Sequence, residues 1–204
     1  MINPSDADAS QAPLWEKADE AAGRNDYAGV LFVLKSLAEK GVWQAYARIG
    51  ELYEAGGGGV EKNLDAALSW YRRGVYEGDD PVAHIGMGRA YFNGTGVERD
   101  ASKALAHFQK ADSANMPEAS LYLGIIHYSE VGVDRDHQKA RKYFEAAATA
   151  GYFLAYGYLA RIAFGKWNLW KGIKYLVTGW LLMARISRMN PKDPRLLGIE
   201  TDKQ

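Results

Sequence analysis

The sequence predicts an all-α protein, a right-handed α-solenoid of helix–loop–helix repeats with about ten helices. One pattern of residues recurs every 36 to 38 positions. Within each copy the apolar residues follow helical spacing and not the alternation of a strand. An Asp or Asn precedes the second apolar segment of every copy, where a helix N-cap belongs. Because one such unit cannot bury its apolar face alone, we expect the copies to stack.

The first helix of each repeat is marked by an alanine column at spacings of 38, 36 and 36 residues: Ala45, Ala83, Ala119 and Ala155. An apolar and a small residue follow four positions later: Ile49-Gly50, Met87-Gly88, Leu123-Gly124 and Leu159-Ala160. Pro81 and Pro117 precede the alanine by two residues, where the first turn of a helix tolerates a missing N–H. Asp80 is the predicted cap of one of these helices.

The second helix follows a glycine loop in three copies, which ends at Gly59-Val60, Gly96-Val97 and Gly132-Val133. Its predicted N-caps are Asn63, Asp100, Asp136 and Asn168. An aromatic or apolar pair recurs inside it: Trp70-Tyr71, His107-Phe108, Tyr143-Phe144 and Tyr175-Leu176. Its predicted ends are Gly78, Asn115 and Gly151, residues that tolerate the left-handed conformation.

The amino-terminal segment reads as a degenerate repeat. A first helix is predicted from Leu14 to Ala22, Asp26 is the N-cap of a second, and Gly41 falls in the C-cap column. We therefore predict a disordered tail at 1–13, one solenoid domain at 14–189 and a tail at 190–204. The domain comprises a degenerate repeat, three regular repeats and a divergent one with a long terminal helix: 14–42, 43–80, 81–116, 117–152 and 153–189.

The period and the pattern Ala-x-x-x-Leu-Gly-x-x-Tyr-x-x-Gly-x-Gly-Val-x-x-Asp-x-x-Lys-Ala-x-x-x-Phe resemble the Sel1-like repeat, a relative of the tetratricopeptide repeat. Residues 83–111 and 119–147 match it closely, whereas the last copy lacks the glycine loop. The resemblance implies a scaffold or adaptor that holds partners in the concave face of the superhelix. It implies no chemistry.

The composition excludes several classes of protein. The chain has 25 basic and 25 acidic residues and no cysteine, which removes disulfide scaffolds and thiolate metal sites. Zero net charge disfavours nucleic acid as a partner. The acidic start has no apolar run and no window is long enough to span a membrane, so the expected location is the cytoplasm.

No motif predicts catalysis. The glycine stretches lack the strand and the Lys-Ser/Thr of a phosphate loop and recur at the repeat period, so we interpret them as connections. Among the four histidines, His107 and His127 occupy aromatic packing columns, and His84 and His137 are predicted on helix surfaces. We therefore expect no enzyme, no cofactor and no metal.

The columns between the packing positions of the first helices predict a partner-binding groove. Aromatic and arginine side chains are enriched at binding hot spots. The predicted groove residues are Arg48, Glu51, Arg89, Phe92, Tyr122, Tyr128, Tyr158 and Arg161. The alternative is that several of these aromatic rings pack between adjacent repeats.

The last helix is predicted to run from Leu169 to about Met189, where Asn190-Pro191 ends it. Its basic and aromatic character suits an anionic membrane surface or a partner helix. The predicted contact residues are Trp167, Trp170, Lys174, Leu181, Leu182 and Arg185. The alternative is a closing helix whose apolar side covers the last repeat.

The leading functional hypothesis is a non-enzymatic adaptor that binds a protein or peptide in the groove. A second is an inhibitor, such as an immunity protein that neutralises a toxin or effector. A third is a membrane-peripheral assembly factor that uses the basic helix. Self-association through that helix is a further alternative.

Overall fold

A computed structural model describes residues 11–129 and 132–189. These residues form ten helices, with one isolated bridge between Gly57 and Val60. The helices are α1 (Ala12–Gly23), α2 (Tyr27–Glu39), α3 (Gln44–Ala55), α4 (Leu64–Gly78), α5 (Pro81–Asn93), α6 (Ala101–Ser113), α7 (Pro117–Ser129), α8 (His137–Thr149), α9 (Phe153–Gly165) and α10 (Leu169–Met189). The predicted all-α class and its ten helices are confirmed for the described part of the chain.

The chain divides into two compact units, 1–90 with 94–98 and 91–93 with 99–204. In the first unit α1 packs on α2, α2 on α3 and α3 on α4. In the second unit α6 packs on α7, and the series continues in chain order to α10. Each unit is therefore a stack of helical hairpins, as helix–loop–helix repeats require.

The predicted N-caps are confirmed. Side-chain oxygens of Asp26, Asn63, Asp100, Asp136 and Asn168 accept hydrogen bonds from first-turn backbone amides at 2.9–3.1 Å. Asp80 caps α5 in the same way, and Pro81 and Pro117 are the first residues of their helices. These caps satisfy amides that would otherwise have no partner, so they fix where each helix begins.

The left-handed conformation occurs where predicted at two of the three helix ends. Asn115 and Gly151 adopt positive φ angles of 59° and 94°. The third helix, α4, ends at Gly78 as predicted, but the left-handed conformation falls on the next residue, Asp79, at φ 45°. A side chain at Gly78 would collide with Trp43, since an added Cβ would lie 2.6 Å from its ring.

The two ends of the chain differ slightly from the prediction. The first helix begins at Ala12, two residues before the predicted Leu14, so the predicted tail is wrong for residues 12 and 13. Residue 11 precedes the helix, and residues 1–10 of that tail, the Asn190-Pro191 stop and the tail at 190–204 lie outside the described residues. The last helix runs from Leu169 to Met189 as predicted.

Candidate functional site

The second unit contains two equivalent clusters of aromatic rings. Tyr122 stacks on Phe108 at 4.5 Å between centroids, and Phe92 meets Tyr122 edge-on at 5.7 Å. One repeat later Tyr158 stacks on Phe144 at 4.6 Å, and Tyr128 meets Tyr158 edge-on at 5.5 Å. Both arrangements are favourable for aromatic quadrupoles. Each cluster joins the first helix of one repeat, the second helix of that repeat and the first helix of the next.

The two clusters differ in how much of them reaches the surface. Phe92 and Tyr122 are buried, each with 5% of its surface exposed, and neither ring offers a contact surface to a partner. Tyr128 and Tyr158 are half-buried, and Arg161 beside them is exposed. The Arg161 guanidinium lies 6.0 Å from the centre of the Tyr128 ring. Burial raises the pKa of the Tyr158 hydroxyl. We call the accessible group of Tyr128, Tyr158 and Arg161 the Tyr158 surface.

In the first unit a polar network occupies the equivalent place. Tyr71, in the column of Phe108 and Phe144, donates its hydroxyl to Glu54 Oε2 at 2.6 Å. Arg89 Nη2 donates to the same oxygen at 2.6 Å. Burial and the neighbouring Glu54 carboxylate raise the pKa of Tyr71, so its hydroxyl stays protonated and keeps donating. The side chains of Arg89 and Glu54 therefore bond to each other, and this ion pair links α5 to α3.

Gly86 explains why the first unit can accommodate this network. It stands in the column of Tyr122 and Tyr158, and an added Cβ there would lie 2.6 Å from the Tyr71 ring. A cavity of about 10 Å³ lies beside it, lined by Glu54, Tyr71, Gly86, Ala90 and other residues. This volume is at the lower limit for one water molecule. Sequence reasoning missed the network, although Glu54 stands out as the one non-aromatic residue in its column, which otherwise holds Phe92, Tyr128 and Phe164.

The other predicted groove residues of the first unit are Arg48 and Glu51. The Arg48 guanidinium lies 5.1 Å from the centre of the Trp15 ring and 4.0 Å from Asp19 Oδ1. Glu51 is exposed. Arg48 is therefore anchored on α1, which holds its side chain in place without removing it from solvent.

Three of the four histidine predictions are confirmed. His107 stacks on Tyr91, His127 stacks on Tyr143, and His137 is exposed on α8. The prediction for His84 is wrong, because this side chain is buried and its Nε2 lies 2.9 Å from Asp79 Oδ1. Within residues 11–129 and 132–189 no group of three His, Asp or Glu residues could hold a metal ion.

The last helix packs on α9 through small residues. An added Cβ at Gly172 would meet the Phe164 ring at 2.3 Å, and one at Gly179 would meet the Tyr156 Cβ at 2.8 Å. Ile186 completes this buried side. The alternative of a closing helix is therefore correct in that α10 packs on α9, but it is wrong about the apolar side: Gly172, Gly179 and Ile186 form the covered side, and the larger apolar side chains are exposed.

The apolar side of α10 points away from α9. We call it the outward face; its members are Leu169, Trp170, Ile173, Leu176, Val177, Trp180 and Leu181. The predicted contact residues Trp170, Leu181, Lys174 and Arg185 are exposed, as is Trp167 just before the helix, whereas Leu182 is half-buried. No helix among the described residues is both long and apolar enough to cross a bilayer.

Comparison with known proteins identifies the repeat. The Sel1 repeat family model matches residues 43–79, 81–111 and 117–152, which is half of the chain.

Solved structures share the fold at low identity. A Sel1 repeat protein from Oxalobacter formigenes is 22% identical, with 92% of this chain and 82% of that chain covered and a TM-score of 0.67. The protein c5321, a protective antigen present in uropathogenic Escherichia coli strains that displays an SLR fold, is 25% identical at a TM-score of 0.63. The match covers 89% of this chain but only 39% of c5321. MamA is 19% identical, with coverages of 84% and 96% and a TM-score of 0.57.

Proposed function

The chain belongs to the Sel1 repeat family, and from that premise we propose that it is a non-enzymatic interaction module that binds a protein or peptide at the Tyr158 surface. Repeat proteins of this family generally mediate contacts between proteins. The observation that carries the proposal is the half-buried pair Tyr128 and Tyr158, held by ring contacts next to the exposed Arg161. Tyrosine and arginine are the residue types that dominate binding energy at interfaces.

The ring packing supports the proposal because it orders the surface in advance. Tyr158 is held flat on Phe144, and Tyr128 is held against Tyr158, Phe144 and His137. A partner that docks there orders few additional side chains, so little conformational entropy opposes binding. Arg161 favours a segment that offers a carboxylate beside an apolar or aromatic side chain.

Charge reversal at Arg161 tests the proposal. Full-length chains that carry Arg161→Glu, Lys142→Glu or no substitution are used to capture partners from the native extract, and the recovered proteins are quantified. Lys142 is the matched control, because it is an exposed cation of the same unit on α8. We expect Arg161→Glu to weaken capture by about tenfold or more, since it converts an attraction into a repulsion. Equal capture by the two variants would show that the partner binds elsewhere.

The inhibitor alternative differs in the number of partners. An inhibitor is expected to recover one protein in a tight stoichiometric complex, whereas an adaptor is expected to recover several at lower affinity. The inhibitor and the adaptor would both bind through Arg161 in this proposal. The same capture experiment therefore separates them by the number of proteins recovered and by the dissociation constant of each complex.

A further inference from the structure

Exposed apolar side chains are concentrated on the last helix. Of the eleven large apolar residues that are strongly exposed among the described residues, nine lie between Trp167 and Met189. Three of them are tryptophans, with exposed fractions of 95% at Trp167, 82% at Trp170 and 63% at Trp180. Isolated surface apolar residues need no explanation, but a contiguous patch of this kind marks an interaction surface.

The outward face is wider than the strip on which another repeat would pack. In α8, Phe144 and Ala148 are buried, and the neighbouring positions Arg141 and Glu145 form a surface ion pair with 3.7 Å between Nε and Oε1. In the repeat alignment, Leu176 and Trp180 of α10 correspond to the buried Phe144 and Ala148. Ile173 and Val177 correspond to the ion-paired Arg141 and Glu145. Leu181 replaces the exposed Thr149 in the same way. A helix docked on Leu176 and Trp180 would leave Ile173, Val177 and Leu181 in solvent. The apolar interior of a lipid bilayer is broad enough to cover all of these side chains, so it fits the outward face better.

The charged residues around the outward face of α10 are all basic. No acidic residue occurs between Glu145 and Asp193, an interval that contains seven basic residues. At 3.6 residues per turn, Lys171, Lys174 and Arg185 form a strip that begins beside Trp170 and Leu181. Lys171 lies at the edge of this strip toward α9, with its Nζ 5.7 Å from the centre of the Tyr175 ring. A second copy of the chain would bring two such basic strips together, whereas an anionic surface would attract them.

We infer that α10 binds the surface of an anionic lipid bilayer and so holds the chain at the membrane. The outward face lies at the boundary between headgroups and acyl chains, and Lys171, Lys174 and Arg185 contact lipid phosphates. A helix parallel to the membrane buries one apolar side and keeps the other side in its protein, which is the arrangement that Gly172 and Gly179 fix against α9. Exposed tryptophans suit this depth because the indole ring is apolar and its N–H remains near water.

Vesicle co-sedimentation of the full-length chain tests the inference. The probes are vesicles of phosphatidylcholine alone and of phosphatidylcholine with about 30% phosphatidylglycerol, whose headgroups supply the negative surface charge. We expect the chain to sediment with the anionic vesicles and to remain in solution with the neutral ones. Failure to bind anionic vesicles would overturn the inference.

Two pairs of substitutions separate the apolar and the electrostatic contributions. Ile173→Arg with Val177→Glu recreates the Arg141–Glu145 pair on α10 without changing the net charge. Lys171→Gln with Lys174→Gln removes two cations from the basic strip. Each pair is expected to weaken binding to anionic vesicles by about tenfold or more. The matched control is Lys139→Gln with Lys142→Gln, the aligned positions of α8, which is expected to stay within about twofold of the unsubstituted chain.

The remaining outcomes are also decisive. Equal loss of binding in the control pair would show a diffuse charge effect and overturn the assignment to α10. Sedimentation velocity without lipid is run on the unsubstituted chain and on the Ile173→Arg, Val177→Glu chain. A dimer that this pair dissolves would make a second copy the occupant and overturn the inference. Circular dichroism confirms that each variant is folded, and Arg161→Glu tests the separate protein-binding proposal.

Discussion

His127 and Tyr143 stack with their ring centroids 5.8 Å apart and their planes 5° from parallel, and one repeat earlier Tyr91 and His107 form the same stack with the residue types exchanged. In each of these two repeats a residue of the first helix stacks on a residue of the second helix, and one of the two is histidine and the other tyrosine. His127 is the more consequential of the two histidines, because it is buried and its Nδ1 has no hydrogen-bond partner within the described residues.

Replacement of His127 by tyrosine is expected to make the fold less sensitive to acid. Burial, followed by the nearby Lys139 ammonium, lowers the pKa of His127 below its usual range, and this outweighs the opposing effect of Asp136. As the pH falls through the ordinary histidine pKa, the unfolded chain therefore binds a proton that the folded chain excludes, and stability decreases. His127→Tyr introduces the tyrosine that the two preceding repeats carry at the aligned positions, Tyr53 and Tyr91, and it removes the histidine that causes this loss of stability.

The measurement is the free energy of unfolding in urea at about pH 7.5 and about pH 5.5, on either side of the ordinary histidine pKa. The control is His137→Gln, which changes an exposed histidine and should keep the acid sensitivity of the unsubstituted chain. A decrease of the same size in His127→Tyr would contradict the prediction.

Two glycines of the first helices should respond to alanine in opposite directions. An added Cβ at Gly124 would lie 2.6 Å from the Phe144 ring, whereas one at Gly157 would meet nothing within 4 Å. Gly124→Ala is expected to cost about 1–3 kcal/mol because the buried ring must shift. Gly157→Ala is expected to stabilise the chain by about 0.5–1 kcal/mol, since glycine is a poor residue for a helix interior. Urea unfolding measures both, and a shared sign would refute the packing argument.

The Glu54 network should show coupling between its two donors. Arg89→Met leaves Glu54 Oε2 with the Tyr71 hydroxyl, and Tyr71→Phe leaves it with Arg89. Each substitution is expected to cost about 1–2 kcal/mol, a value kept low by the partial exposure of the Arg89–Glu54 pair. A double-mutant cycle is expected to give an interaction energy of about 0.5–1 kcal/mol. Additive effects would mean that the two bonds are independent.

The N-cap at Asn63 offers a test of the repeat frame. Asn63 Oδ1 accepts a hydrogen bond from the Ala66 amide at 2.9 Å. Asn63→Ala is expected to lower the free energy of unfolding by about 1 kcal/mol, because the amide loses its acceptor. Asn63→Asp matches Asp100 and Asp136, and it is expected to preserve or slightly raise stability through the charge at the helix N-terminus. Equal destabilisation by both variants would show that the cap does not act through its oxygen.

The local features of the fold could be predicted from the sequence, because short-range chemistry fixes them. The Asx residues cap the helices, the prolines begin them, and Asn115 and Gly151 end them in the left-handed conformation. At Gly78 the left-handed conformation falls one residue later than predicted, on Asp79. Gly78 itself lies against the Trp43 ring, a contact between residues distant in the chain that the sequence does not display.

Side-chain exposure was harder to predict, since it depends on which column faces a neighbour. His84 is buried with its Nε2 2.9 Å from Asp79 Oδ1, and Phe92 and Tyr122 are buried in one cluster of rings contributed by three helices. For α10, apolar content favours one side as the side that covers α9, whereas the close approach at Gly172 and Gly179 places a different side there.

The last helix also differs from the preceding second helices at the position where a following repeat would pack. α6 and α8 carry Asp112 and Ala148 there, and Asp112 accepts a hydrogen bond from the Ser120 hydroxyl of α7 at 2.6 Å. The aligned residue of α10 is Trp180, with 63% of its surface exposed. An indole ring is much larger than either of these side chains, so another first helix could pack at this position only after the ring had moved aside.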